Sequence, residues 1–181
     1  MDRGSRESAS ELPSAGGDVA VRNSTVSPSG ALQDPALGLF ATMAWVTAAA
    51  TFALVTLGAA VVATGAGLSC PGWPLCGGHL VPHFAGVVAV EWSHRVGALT
   101  VTVLSLGTAL TAWRLRRRDP WWQASVAAVV LLLVQALLGA VVVTHNLAAW
   151  AVVSHEALGV LLLCVWLGTA LLATLARRSA P

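Results

Sequence analysis

Four long apolar stretches, Leu37–Ala63, Phe84–Trp113, Trp121–Val143 and Leu147–Ala176, alternate with shorter polar segments along this chain. Each exceeds the roughly 20 residues an α-helix needs to cross a bilayer core of about 30 Å. None keeps the two-residue alternation of a membrane β-strand. The pattern predicts an all-α integral membrane protein with four transmembrane helices. Residues 1–35 are different, rich in Ser, Gly, Pro and mixed charge, with too little apolar surface to fold. They are expected to form a disordered cytoplasmic tail, residues 36–176 the bundle, and residues 177–181 a short basic tail. The first segment lacks a basic patch followed by an apolar run, the order of a cleaved signal. The first helix is therefore expected to be a retained span.

Composition agrees. The 181 residues are 56% hydrophobic with a mean hydropathy of +0.76, and 10% are charged against the usual quarter of a soluble domain. This balance implies a lipid environment and no nucleic-acid partner. Lysine is absent, so every basic side chain is arginine. Arg114–Arg118, "RLRRR", separates the second and third stretches, and Arg177 and Arg178 follow the fourth. Short Arg-rich loops stay on the cytoplasmic side, which puts both termini inside. The long loop "TGAGLSCPGWPLCGGHLVPH" (Thr64–His83) and the tight "THN" turn (Thr144–Asn146) then face outward. Trp121 and Trp122 beside the Arg loop, with Trp73 and Trp150 near the outer loops, suit interfacial belts.

The chain repeats itself. "LGAAVV" at Leu57–Val62 returns as "LGAVVV" at Leu138–Val143, an offset of 81. "SH" at Ser93–His94 returns at Ser154–His155, an offset of 61. The difference of 20 is absorbed by the longer first outer loop. The order of the matches predicts a four-transmembrane-helix bundle built from two duplicated helix pairs, with a pseudo-twofold axis along the membrane normal. That symmetry places His94 and His155 at matching depth on opposing helices.

Two facing imidazoles in a bundle suit a heme, whose iron takes neutral histidine as an axial ligand. Gly97 and Gly159, three or four residues after each histidine, would leave room for a flat macrocycle. The alternative is that both histidines only hydrogen-bond between helices, but ionisable groups inside a membrane are functional by default. "EWSHR", Glu91–Arg95, starts about two turns into the second apolar stretch. Helical spacing puts Glu91, His94 and Arg95 on one face. Either Glu91 and Arg95 neutralise each other, or Arg95 serves a heme propionate and Glu91 stands free by the ring edge to exchange protons. Glu156 lies about 100° around its helix from His155 and reads as an outward or supporting group.

Cys70 and Cys76 bracket "PGWPL" in the long outer loop, on the oxidising side. A disulfide or redox pair is expected there; so small a ring stabilises by about 2.4 kcal/mol on the chain-entropy account. A rival reading adds His79 and His83 to give a zinc or copper site, although the cysteine spacing is wider than a zinc knuckle's. Cys164 reads as a small packing residue. His145 lies too near the surface to pair with the other two histidines and has no assigned role.

"TGAGLSCPGWPLCGG", then "EWSHRVGAL", then "LLVQALLGAVVVTHNLAAWAVVSHEALGVLL" together resemble the heme A synthase family, from about Leu37 to Ala176. The specific part is the CPxWPxC loop ahead of ExxHR. The resemblance implies oxidation of the C8 methyl of heme O to a formyl group with water-derived oxygen, supplying heme A to cytochrome oxidase. It implies His94 and His155 as heme iron ligands, Glu91 as the catalytic carboxylate, and Cys70 with Cys76 as the outer-loop pair. Heme O is then the substrate and heme B a candidate cofactor. Heme O synthase and the cytochrome oxidase assembly machinery are the implied partners. Familiar members carry two such bundles; this chain carries one, resembling their N-terminal half. A homo-oligomer or a second heme-bearing chain is therefore expected. The alternatives are a non-catalytic bis-His b-type membrane cytochrome passing electrons, and a heme-carrying oxidase assembly factor.

Overall fold

A computed structural model describes residues 35–115 and 120–178. The polar tail before Pro35, Arg116–Arg118 of the basic loop and residues 179–181 lie outside the described residues. Four helices follow one another: α1 (Pro35–Ala63), α2 (Val88–Arg114), α3 (Pro120–Thr144) and α4 (Ala149–Arg178), with a 3₁₀ turn at Ala66–Leu68 after α1. All four are long and apolar enough to cross a membrane, so the chain is a multi-pass membrane protein. Proline opens both α1 and α3, a position where its missing N–H costs nothing. Arg177 and Arg178 occupy the last turn of α4, so the helical bundle runs to Arg178.

The helices close into a ring. Each packs against its neighbour in the chain and α4 packs back on α1, with the α2–α3 seam the least extensive. Lipid tails are as apolar as leucine, so no hydrophobic force gathers such helices; close packing of small side chains does. The core matches that physics. Ala41, Ala44, Ala48, Ala112, Ala170 and Ala173 are buried, with Thr47, Thr51, Ser105 and Thr108. Across the α1–α2 contact the hydroxyls of Thr47 and Thr108 meet at 2.9 Å.

Buried positions carry the repeat further than the sequence motifs do. Val101, Ser105, Thr108 and Ala112 are buried on α2; 61 positions on, Leu162, Trp166, Thr169 and Ala173 are buried on α4. Ala44, Thr47 and Thr51 are buried on α1; 81 positions on, Ser125, Ala128 and Leu132 are buried on α3. A common burial register in both pairs is what a duplicated unit requires, since residue types there have diverged while the inward face has not.

Three expectations change. α2 begins at Val88, not in the apolar run from Phe84, because Gly86 takes φ 54°, a left-handed conformation that ends a helix and suits glycine. Glu91 therefore lies in the first turn of α2, so EWSHR caps the helix rather than starting two turns inside it. Cys164 is exposed on the outer face of the bundle, not packed within it. Of the expected aromatic belt, Trp73, Trp122 and Trp150 are exposed, but Trp121 turns inward against Phe40, ring centroids 6.3 Å apart.

Candidate functional site

The disulfide loop is fastened to α2 by the charged pair. Cys70 and Cys76 form a disulfide, with Cα atoms 4.6 Å apart and both residues buried. Cys76 and His79 exchange backbone hydrogen bonds of 3.2 and 3.0 Å around Gly77 and Gly78, both at positive φ. Glu91, 4% exposed, accepts from the Cys70 amide at 2.8 Å and the Ser69 hydroxyl at 3.1 Å on one oxygen, and from Arg95 on the other. The Arg95 guanidinium also donates to the carbonyls of Cys70 (2.7 Å), Gly72 (2.7 Å) and Leu75 (2.8 Å). A carboxylate and a guanidinium one helical turn apart thus meet the loop's unpaired amide and carbonyls. Charge-assisted bonds of this kind are the stronger ones, and several on one short loop hold it to the helix end. Arg95 pairs with Glu91 in this structure. The carboxylate of Glu91 faces the loop and does not line the interior cavity.

His94 and His155 do meet inside the bundle. Their ring centroids are 6.5 Å apart and their planes are inclined at 72°. Metal–imidazole bonds run about 2.0–2.1 Å; with the ring radii added, two imidazoles facing one metal ion have centroids roughly 6 Å apart. Nδ1 of each histidine is buried without a hydrogen-bond partner, and unpaired buried nitrogens are rare unless something else engages the ring. The donor set and its spacing therefore fit an axially ligated heme. The cavity between them holds about 70 Å³, well below the roughly 300–1,000 Å³ of a usual cofactor pocket. A macrocycle held there has to part the helices around it.

The cavity repeats across the pseudo-twofold axis. Thr51 and Leu132, Val55 and Ala136, His94 and His155, Ala98 and Gly159 all line it, and each pair is separated by the 81- or 61-residue offset. The glycines that cradle the rings were in the LGA motif. A Cβ on Gly58 would stand 3.1 Å from Cε1 of His94, and one on Gly139 would stand 3.2 Å from Cε1 of His155. Gly97 instead faces Leu54 and does not line the cavity, while Gly159 lines it against Gln135.

Two cavity residues were missed or misread in the sequence. Gln135 donates to the backbone carbonyl of His155 at 2.9 Å and lies 3.4 Å from Nε2 of its ring. Its Oε1 is buried with no partner. Glu156, expected to face outward or to support His155, lines the cavity with an oxygen 3.3 Å from where a Gly58 Cβ would be. The signal for Gln135 was available: it is the one polar side chain in the run Val126–Val143. No three His, Cys, Asp or Glu side chains gather as a metal site among the described residues, so His79 and His83 do not join the cysteines. His145 packs edge-on against Trp150 with centroids 5.8 Å apart, in the outer turn and away from the cavity.

The profile of the Cytochrome oxidase assembly protein family matches residues 41–86 and 83–167. Over 99 residues the chain is 40% identical to a heme A synthase of Symbiobacterium thermophilum, covering 55% of this chain and 32% of that protein. Over 127 residues it is 34% identical to a heme A synthase of Bacillus pumilus, covering 67% of this chain and 41% of that one. Over 109 residues it is 32% identical to a protoheme IX farnesyltransferase of Halobacterium salinarum, covering 60% of this chain and 25% of that protein. The chain thus spans about a third to two fifths of the length of the two heme A synthases. No solved structure matches it.

Proposed function

Because this chain belongs to the Cytochrome oxidase assembly protein family, we propose that it is a heme A synthase-type enzyme, holding heme between His94 and His155. Its reaction is the oxidation of the C8 methyl of heme O to a formyl group. The observation that carries this reading is the facing imidazole pair, 6.5 Å between centroids, in a cavity that repeats in both helix pairs. Heme bound there supplies the redox-active iron, with heme O as substrate or heme B as cofactor. Conversion of a methyl to a formyl group with oxygen from water releases four protons and four electrons, and the electrons have to pass to an external oxidant. His94 on α2 and His155 on α4 are the residues that would hold the iron. Glu91 and Arg95 hold the disulfide loop over the first turn of α2. A direct catalytic role for Glu91 requires its carboxylate to leave the Cys70 amide and face the ring.

One bundle offers one histidine pair. A substrate heme and a cofactor heme in separate bundles would need a further bundle beside this one, such as a second copy of it. The relationship to a protoheme IX farnesyltransferase supports supply of the farnesylated substrate by a heme O synthase, with cytochrome oxidase assembly downstream. The Arg-rich loop and termini are assigned to the cytoplasm and the disulfide loop to the outer face. The engagement of Glu91 by the loop favours a second reading, a bis-His membrane cytochrome that passes electrons without modifying its heme.

The test is co-expression with a source of heme O, followed by extraction and mass measurement of the bound heme. Heme A, or its alcohol precursor, is expected; heme B or unmodified heme O alone would leave the cytochrome reading. Replacing either His94 or His155 with Ala should abolish the low-spin bis-imidazole spectrum, and His145→Ala should leave it intact. A spectrum that survives His155→Ala and is lost in His145→Ala would overturn the ligand pair.

A further inference from the structure

A cavity with near-twofold symmetry cannot by itself choose between the two ways an unsymmetrical ring can enter it. Both ways put the iron between the same histidines. Choice has to come from positions where the two halves differ. Among the cavity-lining residues, the polar side chains of the first pair are committed: Thr51 donates to the Thr47 carbonyl at 2.7 Å, and Thr102 to the Ala98 carbonyl at 2.8 Å. The second pair presents two polar groups that are not. Gln135 has a buried Oε1 without a partner, and Glu156 has neither an ion pair nor a hydrogen bond among the described residues. At the twofold-related positions stand Leu54, which lines the same cavity, and Arg95, withdrawn into the loop.

We infer that Gln135 sets the orientation of the bound macrocycle. Gln135 lines the cavity and its Oε1 is a buried acceptor without a partner, and an unmade bond of this kind costs about 1–3 kcal/mol. An edge carrying a hydroxyl donor satisfies it; turned the other way, that hydroxyl meets Leu54 and both groups stay unpaired. A site built to bond a hydroxyl discriminates strongly against an arrangement that lacks it. The second pair thereby decides which edge of the substrate is presented to each wall, and so which ring substituent can be oxidised. This inference rests on the heme reading above and adds to it a determinant of substrate orientation.

The experiment is paramagnetic proton NMR of the ferric protein reconstituted with heme O, which has a hydroxyalkyl substituent, and separately with heme B, which lacks one. Each orientation gives its own set of hyperfine-shifted ring-methyl signals. Wild-type protein with heme O should give one dominant set. Gln135→Leu, which copies the residue at Leu54, should give two sets of comparable intensity, a loss of at least tenfold in orientational preference. Leu54→Gln, which makes both walls polar, should do the same if Gln135→Leu fails to fold. Heme B should show two sets even in wild-type protein. A single set retained in Gln135→Leu or Leu54→Gln with heme O would overturn the inference while leaving bis-histidine binding in place. Failure of wild-type protein to give a low-spin bis-imidazole spectrum would instead overturn the heme reading, and the orientation inference with it.

Discussion

The two helix pairs share an inward face and differ at their outer ends. Residues 64–87 join α1 to α2, whereas residues 145–148 join α3 to α4. The extra length of the first connection forms the disulfide loop, which Glu91, Trp92 and Arg95 bind through their side chains. Their twofold images are Val152 and Glu156. Val152 has no loop to hold, and Glu156 has turned to the cavity instead. A position that anchors a loop in one half is thus released for the ligand in the other. Duplication gives the paired histidines; divergence separates a structural end from a chemical one.

The largest effect that separates the halves should come from Arg95→Leu. It removes three loop carbonyl contacts and strands Glu91, 4% exposed, beside the buried Cys70 amide. Breaking a buried pair by deleting one partner costs about 3–5 kcal/mol, and Val152→Ala in the other half should cost about 1 kcal/mol. Thermal unfolding in detergent measures both. Equal shifts would mean that the loop contributes nothing to stability. A membrane-impermeant thiol reagent, applied to intact cells after reduction, should also label Cys70 and Cys76. Labelling only after lysis would reverse the assigned sidedness.

An intermediate effect should be shared by both halves. Gly58→Ala and Gly139→Ala each place a methyl within 3.2 Å of a histidine ring, and overpacking of this kind costs about 1–3 kcal/mol. Heme retention should fall by a similar factor in both variants. Gly97→Ala, which meets a Leu54 methyl, should leave it unchanged. Loss of heme confined to one of the two would show that the cradle is not symmetric. Titration of the variants with heme and the Soret absorbance reads this directly.

Much of this arrangement was legible in the sequence. The helices were, because each apolar run is long enough to span a bilayer, and the histidine pair was, because two motif offsets place it. The disulfide loop was legible too. What escaped were relationships between helices. Gly97 and Gly159 follow their histidines in the chain, but the glycine against each ring comes from the neighbouring helix, where the 81-residue repeat already marked it. The angle of Glu156 to His155 on one helix left it either outward or supporting, and a cavity bounded by four helices reaches it at that angle. The start of α2 was misplaced because "FAGV" is apolar, and hydropathy does not register that Gly86 adopts positive φ. Gln135 was visible as a lone amide in an apolar run, and only the packing of α3 against α4 revealed its unpaired oxygen.

The smallest effect tests whether the shared inward face contributes equally in the two halves. Thr47 and Thr108 join α1 to α2 through their hydroxyls, 2.9 Å apart. At the twofold-related contact between α3 and α4 stand Ala128 and Thr169, so no second hydroxyl faces Thr169, which donates to the Val165 carbonyl at 2.7 Å. Interhelical hydrogen bonds within membranes average about 0.6 kcal/mol and reach about 1.7. Thr47→Val keeps the side-chain volume and removes the hydroxyl. It strands no partner, because Thr108 still donates to the Leu104 carbonyl at 2.8 Å. The variant should therefore lose about 0.6 kcal/mol and keep its heme spectrum. Combined with Thr108→Val it should lose little more than the single variant, since the bond is already gone; a double-mutant cycle measures this coupling. Strictly additive losses would mean that the hydroxyl pair does not join the helices, and that the first pair is held by its loop and its small residues alone.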